Sequence, residues 1–304
     1  MQKEGNKLPA LVDMSDPAKV IGEVEAIVTA IDASFDFAAI NLVFGDIRAL
    51  FEGNYPGYRD CNTEYHDLRH TTDCLLAFTR ILHGMTICGK QFERDDIELG
   101  LMAAMFHDCG YIQTEDDEAG TGAKYTSTHI DRGIDFMKAY FAAHDFPERY
   151  GSDGAAMIRC TGLGIDIGTI SFTSPAVERL GKALGSADLL GQMADRIYLE
   201  KLLFLYYEFA EGGIPGFDSE IKLLDKTLEF YDAARRRLDG DLDNLSLYAV
   251  DHFREYRYLN ADLYTVAIQR NIEYLRHILN KHRTEHREYL RRGDVVKKLR
   301  EKGL

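Results

Sequence analysis

Apolar residues return at three- and four-residue steps through nearly all of this 304-residue chain, and only six prolines interrupt them. That period lines the apolar side chains along one face of a helix. Val20, Ile21, Val24, Ile27, Val28 and Ile31 form one such face, within a helical reading of residues 17–51. Further helices are predicted over 63–83, 95–108, 126–143, 152–161, 175–211, 219–239 and 245–303. The segments 53–57, 113–124 and 162–173 are rich in turn residues and separate them. Only 164–172 offers a trace of strand alternation. The expected fold class is all-α, a compact multi-helix bundle with additional C-terminal helices. The expected division is an N-terminal helical segment packed on the core (1–55), the core itself (56–217) and a C-terminal helical extension (218–304).

Charge and cysteine usage narrow the functional classes. With 36 basic and 50 acidic residues the net charge is −14, which repels polyanions, so neither a nucleic acid polymer nor an anionic membrane is expected as a partner. The five cysteines (Cys61, Cys74, Cys88, Cys109, Cys160) are odd in number and form no CxxC pair. They are read as reduced thiols, which places the expected protein in the cytoplasm. Its opening residues lack an apolar leader. No apolar run approaches the ~20 residues of a membrane span. The stripe of Ile268, Ile272, Leu275, Ile278 and Leu279 packs on the core or joins two copies, so a homodimer through the C-terminal helices is one partner expectation.

Three stretches break the pattern in one way. They read Tyr65-His66-Asp67-Leu68-Arg69-His70, Ala104-Met105-Phe106-His107-Asp108-Cys109-Gly110, and Ser186-Ala187-Asp188-Leu189-Leu190. Each sets imidazole or carboxylate against apolar helix positions, where an uncompensated charge is costly to bury. His66 and His70, four apart, would share one helix face. His107 and Asp108 would close a buried helix, with Gly110 as its stop. A divalent cation explains these groups jointly, and imidazole plus carboxylate without thiolate suits Zn, Fe, Mn or Mg.

The order His…His-Asp…Asp resembles the HD-domain metal-dependent phosphohydrolases, and more narrowly the catalytic domain of class I cyclic-nucleotide phosphodiesterases. Their Tyr-His-Asn-x-x-His-x-x-Asp motif is similar to Tyr65-His66-Asp67-x-x-His70-x-x-Asp73. Cys160-Thr161-Gly162-Leu163, Ala187-Asp188-Leu189-Leu190 and Glu208-Phe209-Ala210-Glu211-Gly212 fall where three further motifs are expected. The resemblance implies an HD-domain bundle whose metal-binding core is 56–217. His70, His107, Asp108 and Asp188 would be metal ligands, with Asp108 bridging two divalent ions. A metal-activated hydroxide would attack the phosphoester, and His66 would be the catalytic acid. Asp67, or another carboxylate, would orient His66; Asp67, His129 and Thr161 are the candidates for positions behind the ligands or at the second metal. The substrate would be a small-molecule phosphoester. Arg69, Lys124, Arg132 and Arg159 are candidates to neutralise it. The resemblance has gaps: Cys109 follows the His-Asp pair where a second His is common, and no purine-reading Gln segment follows residue 215. The expected activity is a metal-dependent phosphodiesterase acting on a cyclic nucleotide or related phosphoester. The alternatives are a nucleotidase or phosphomonoesterase with the same site, and a non-catalytic ligand-binding module.

Overall fold

The computed structural model describes residues 8–304. Residues 1–7, with which the expected N-terminal segment opens and on which the expectation of no leader rests, lie outside the described residues. Thirteen α-helices and no β-strand occur among the described residues. In chain order they are α1 (Pro17–Ile31), α2 (Ala38–Phe51), α3 (Leu68–Ile87), α4 (Arg94–Phe106), α5 (His129–Ala143), α6 (Arg149–Arg159), α7 (Pro175–Ala194), α8 (Tyr198–Glu211), α9 (Glu220–Asp239), α10 (Tyr248–Arg257), α11 (Leu263–Lys281), α12 (His286–Tyr289) and α13 (Val295–Glu301). The all-α expectation holds. None of these helices is long and apolar enough to cross a membrane.

Short polar residues set the helix starts. Asp16 and Ser174 cap α1 and α7, each with proline at the next position, where the missing N–H costs nothing. Asp67 caps α3, Ser219 caps α9 and Asp262 caps α11.

Several runs predicted as single helices are divided. The 17–51 run breaks between α1 and α2, where the Asp32 carboxylate accepts from the Ser34 N–H at 2.9 Å and the Asp36 carboxylate from the Ala38 N–H at 2.9 Å. These local bonds compete with the helical ladder. The 175–211 run breaks at Asp195, whose backbone leaves the helix at ψ 136°. The 245–303 run breaks first at Tyr258, which sits in the left-handed region at φ 54°. The 164–172 segment holds a 3₁₀ turn over Ile167–Thr169 rather than a strand.

At the centre α3 crosses α7. Fifteen of the twenty residues of α3 are buried, and α7 is buried over most of its length. Gly191 lets the two approach: a Cβ there would lie 3.2 Å from the Asp73 carbonyl carbon. Helices α1, α4 and α10 pack around α3, and α6 and α11 around α7. The stripe of α11 is spent on the chain's own core, with Ile268, Ile272, Leu275 and Ile278 all buried.

Candidate metal centre

Three helices converge on one point beside that crossing. α3 brings His70, the end of α4 brings His107 and Asp108, and α7 brings Asp188. His70 Nε2 lies 3.4 Å from Asp108 Oδ2 and 3.1 Å from Asp188 Oδ1. His107 Nε2 lies 3.4 Å from Asp108 Oδ2 and 3.9 Å from Asp188 Oδ1. Bonds of about 2.0–2.2 Å around one cation hold its ligand atoms about 3–3.5 Å apart, so the spacing fits. The donor chemistry fits too. His107 Nε2 and Asp108 Oδ2 are buried with no hydrogen-bond partner, a costly state that a cation would relieve. His107 Nδ1 donates to the Ala104 carbonyl at 2.8 Å, leaving the lone pair on Nε2 facing the cluster.

Electrostatics agree with the geometry. Burial acts to lower the basicity of His107, but the Asp108 carboxylate outweighs it and pushes its pKa up to about 9. Burial works likewise against ionised Asp108, and His107, His66 and His70 hold its carboxyl well below the usual range. A cation entering the cluster must therefore displace a proton.

The backbone places His107 as the last helical residue (φ −56°, ψ −35°), while Asp108 turns away (φ −108°, ψ 5°) into a 3₁₀ turn, Cys109–Tyr111. This divergence is how sequence neighbours reach one point. Gly110 is no left-handed helix stop. A Cβ on it would lie 1.8 Å from the His129 carbonyl oxygen, so its role is close packing of this turn on α5.

His66 corrects the expected helix start. It precedes α3, so it and His70 share no helix face, yet their rings lie 6.2 Å apart. Asp67 does not orient His66. It caps α3 through the His70 N–H at 2.9 Å and pairs with Lys201 at 3.1 Å. The carboxylate on His66 is Glu208 of α8, with Oε2 2.8 Å from Nδ1. Glu208 Oε1 also accepts from the Glu64 and Tyr65 N–H groups at 2.8 and 2.7 Å, fixing the whole approach to His66. Burial tends to lower the His66 pKa, but Glu208 first, then Asp108 and Asp188, raise it above 6.5.

The Tyr111 ring stacks between His66 and His129, with centroids 4.2 and 4.6 Å away. His129 Nδ1 donates to the Thr126 carbonyl at 2.7 Å, and Nε2 stands 3.9 Å from Asp108 Oδ1. Burial lowers the His129 pKa, which favours the neutral ring. His129 thus joins the site. Thr161 does not: its hydroxyl donates to the Ile158 carbonyl at 2.8 Å. The four candidate cations are engaged elsewhere. Arg69 pairs with Asp195 at 2.8 Å, Arg159 with Asp131 at 2.9 Å, and Lys124 with Asp117. Arg132 donates to the Gly110 and Ile112 carbonyls.

Three contributors were not assigned from sequence. Gln192, one turn beyond Asp188, donates to Asp188 Oδ1 at 3.4 Å and accepts from the Tyr65 hydroxyl at 3.0 Å. Cys74, one turn beyond His70, comes within 4.8 Å of the His107 and Asp188 ligand atoms. For both, the signal was spacing of four from a cluster residue on the same helix. Glu208 lay inside a quoted motif without being given this role.

A family model described as Npun_R2479-like matches residues 56–236, more than half of the chain. No curated protein and no solved structure matches it.

Proposed function

The chain belongs to the Npun_R2479-like family, a description that names no reaction, and from the site itself we propose a metal-dependent phosphohydrolase of the HD type, acting on a phosphodiester. The observation that carries this is the gathering of His70, His107, Asp108 and Asp188 to spacings of 3.1–3.9 Å beside a histidine already held by a carboxylate. His70, His107, Asp108 and Asp188 would hold a divalent ion, and His129 with Asp108 would face a second. When bound, such ions supply Lewis acidity toward water and a phosphoryl oxygen and neutralise phosphate charge.

The chain's own groups divide the remaining work. Glu208 holds Nδ1 of His66, so that Nε2, 3.4 Å from the Tyr111 hydroxyl, is the ring nitrogen that would face a substrate. Glu208 raises the His66 pKa, which favours the protonated ring that an acid for a leaving alkoxide needs. His66 and His129 are pushed in opposite directions, the environment expected when one ring carries a proton and its neighbour donates a lone pair. Substrate would approach from their side, since their side chains are 15% and 21% exposed while His107 is 1% exposed. Arg69, Lys124, Arg132 and Arg159 are all spent within the protein. A singly charged diester therefore suits the site better than a dianionic monoester.

The test is a panel of cyclic mono- and dinucleotides, nucleoside monophosphates and triphosphates, and a nitrophenyl diester, each assayed with Mn, Mg, Fe and Zn. Turnover of diesters alone supports the reading. Turnover of monoesters alone replaces it with a nucleotidase. Tight metal binding without turnover of any ester replaces it with a ligand-binding module.

A further inference from the structure

A cavity of about 180 Å³ opens along α3 and α7, lined by none of the cluster residues and walled on one side by residues 8–15. Three charged groups of α3 line it, Arg69, Asp73 and Arg80, along with Asp13, Asp195 and Arg196, and two of them, Asp73 and Arg80, lack a close partner of opposite charge. Arg80 is 3% exposed, and among the described residues no carboxylate pairs with it. Its Nη1 donates to the Tyr264 hydroxyl at 3.0 Å, its guanidinium lies against the Phe253 and Tyr264 rings, and its Nε has no partner. Asp73, with a side chain 12% exposed, accepts no hydrogen bond among the described residues, and its nearest cation is Arg69 Nε at 3.9 Å. That arginine is already committed to Asp195 through Nη2 at 2.8 Å.

A buried guanidinium without an acid and a half-buried carboxylate that accepts no hydrogen bond both carry a desolvation cost. They do not offset each other, because they sit seven residues apart on α3, about 10.5 Å along the axis. The gap between them is narrower than that, since a helical arginine leans back toward the N-terminus. Leu76 lies between them and Tyr264 at the side. An anion alone would leave Asp73 unsatisfied, and a cation alone would leave Arg80 so. A cavity of about 150 Å³ holds a benzene, so this one suits about six to ten non-hydrogen atoms.

We propose that this cavity binds a small zwitterion of amino-acid size, its ammonium on Asp73 and its carboxylate on Arg80, with its apolar body against Leu76. The site is separate from the metal cluster and does not depend on that reading.

Thermal unfolding of the full chain tests this, with each of the twenty standard amino acids and γ-aminobutyrate as probes and acetate and ethylamine as single-charge controls. At least one zwitterion should raise the midpoint by about 3 °C at saturation, while neither control does. Asp73→Asn and Arg80→Met should each weaken that probe at least ten-fold. Val12→Trp, which fills the cavity from its edge and leaves both charges in place, should abolish the shift while still unfolding cooperatively. His107→Ala should keep it. The proposal is overturned if no zwitterion shifts the wild-type chain, if acetate or ethylamine shifts it equally, or if the shift survives Val12→Trp.

Discussion

His66 and His107 both carry raised pKa values, yet they should respond oppositely to mutation. His107 and Asp108 are orphaned polar groups of the cluster, so His107→Ala or Asp108→Ala should lose most bound metal on elemental analysis of purified protein. Unchanged metal content would remove the metal assignment. His66→Ala should keep the metal and lose about 10²–10⁴ in turnover, the usual contribution of a positioned acid. Glu208→Gln should act through His66. Without the carboxylate that raises it, the His66 pKa falls, so the alkaline limb of the kcat profile should move to lower pH. A profile that loses amplitude without moving would reduce Glu208 to a scaffold. A different histidine governs acid stability. His252 is fully buried with neither ring nitrogen hydrogen-bonded, and burial, then Arg80, His83 and Arg257, push its pKa down to about 2. A depressed histidine stays neutral while folded, whereas the unfolded chain takes up its proton below about pH 6.5. Stability therefore falls as the solution becomes more acidic, by about 1.4 kcal/mol per pH unit at most. Urea titrations at pH 7 and 5 should show wild type losing about 2 kcal/mol more than His252→Phe; equal losses would discard the explanation.

Helices were legible in the sequence where period and capping agreed, and illegible where a short polar bond overrode the period. The apolar steps of 17–51 run on through Asp32-Ala33-Ser34, and only the carboxylate-to-backbone bond breaks them. The same limit moved the start of α3 to Leu68 and took His66 off its face, because Asp67 spends its carboxylate as a cap. The clustering of His70, His107, Asp108 and Asp188 was legible because burial of charge among apolar neighbours is itself a sequence signal. The Glu208 contact was not, since it joins residues 142 apart, a distance no local pattern encodes. Close approach between elements is similarly hidden: Gly110 looks like a helix stop and proves to be a packing position. The turn Cys109–Tyr111 must press against the start of α5 for Tyr111 to stack between His66 and His129. Gly110→Ala should thus cost about 2 kcal/mol or more by overpacking, measured as a lower urea midpoint. It should also lower turnover more than metal content. Wild-type stability in this variant would mean the contact is not tight.

The molecule is held together across long sequence distances, and the C-terminal extension is the clearest case. Leu290, Val295 and Leu299 are all buried, with α13 seated on α8, the helix that carries Glu208. The buried Glu200 of α8 accepts from the Arg292 and Gly293 N–H groups, the latter at 2.6 Å. Glu220, also buried, is paired by His286 at 2.9 Å and by Arg287. Ending the chain after Lys281 would remove these three apolar side chains and uncover the core surface they bury, a loss of about 1.5–3 kcal/mol each as an upper estimate. It would also strip two buried carboxylates of their partners. The sum rivals the entire stability of an ordinary domain, about 5–15 kcal/mol. The shortened chain should therefore unfold at a far lower urea concentration than the full chain, still in one transition. Because α8 also anchors His66 through Glu208, the remaining folded fraction should lose turnover before it loses metal. A truncated protein with the full-length midpoint would show instead that 282–304 rides on the core without supporting it.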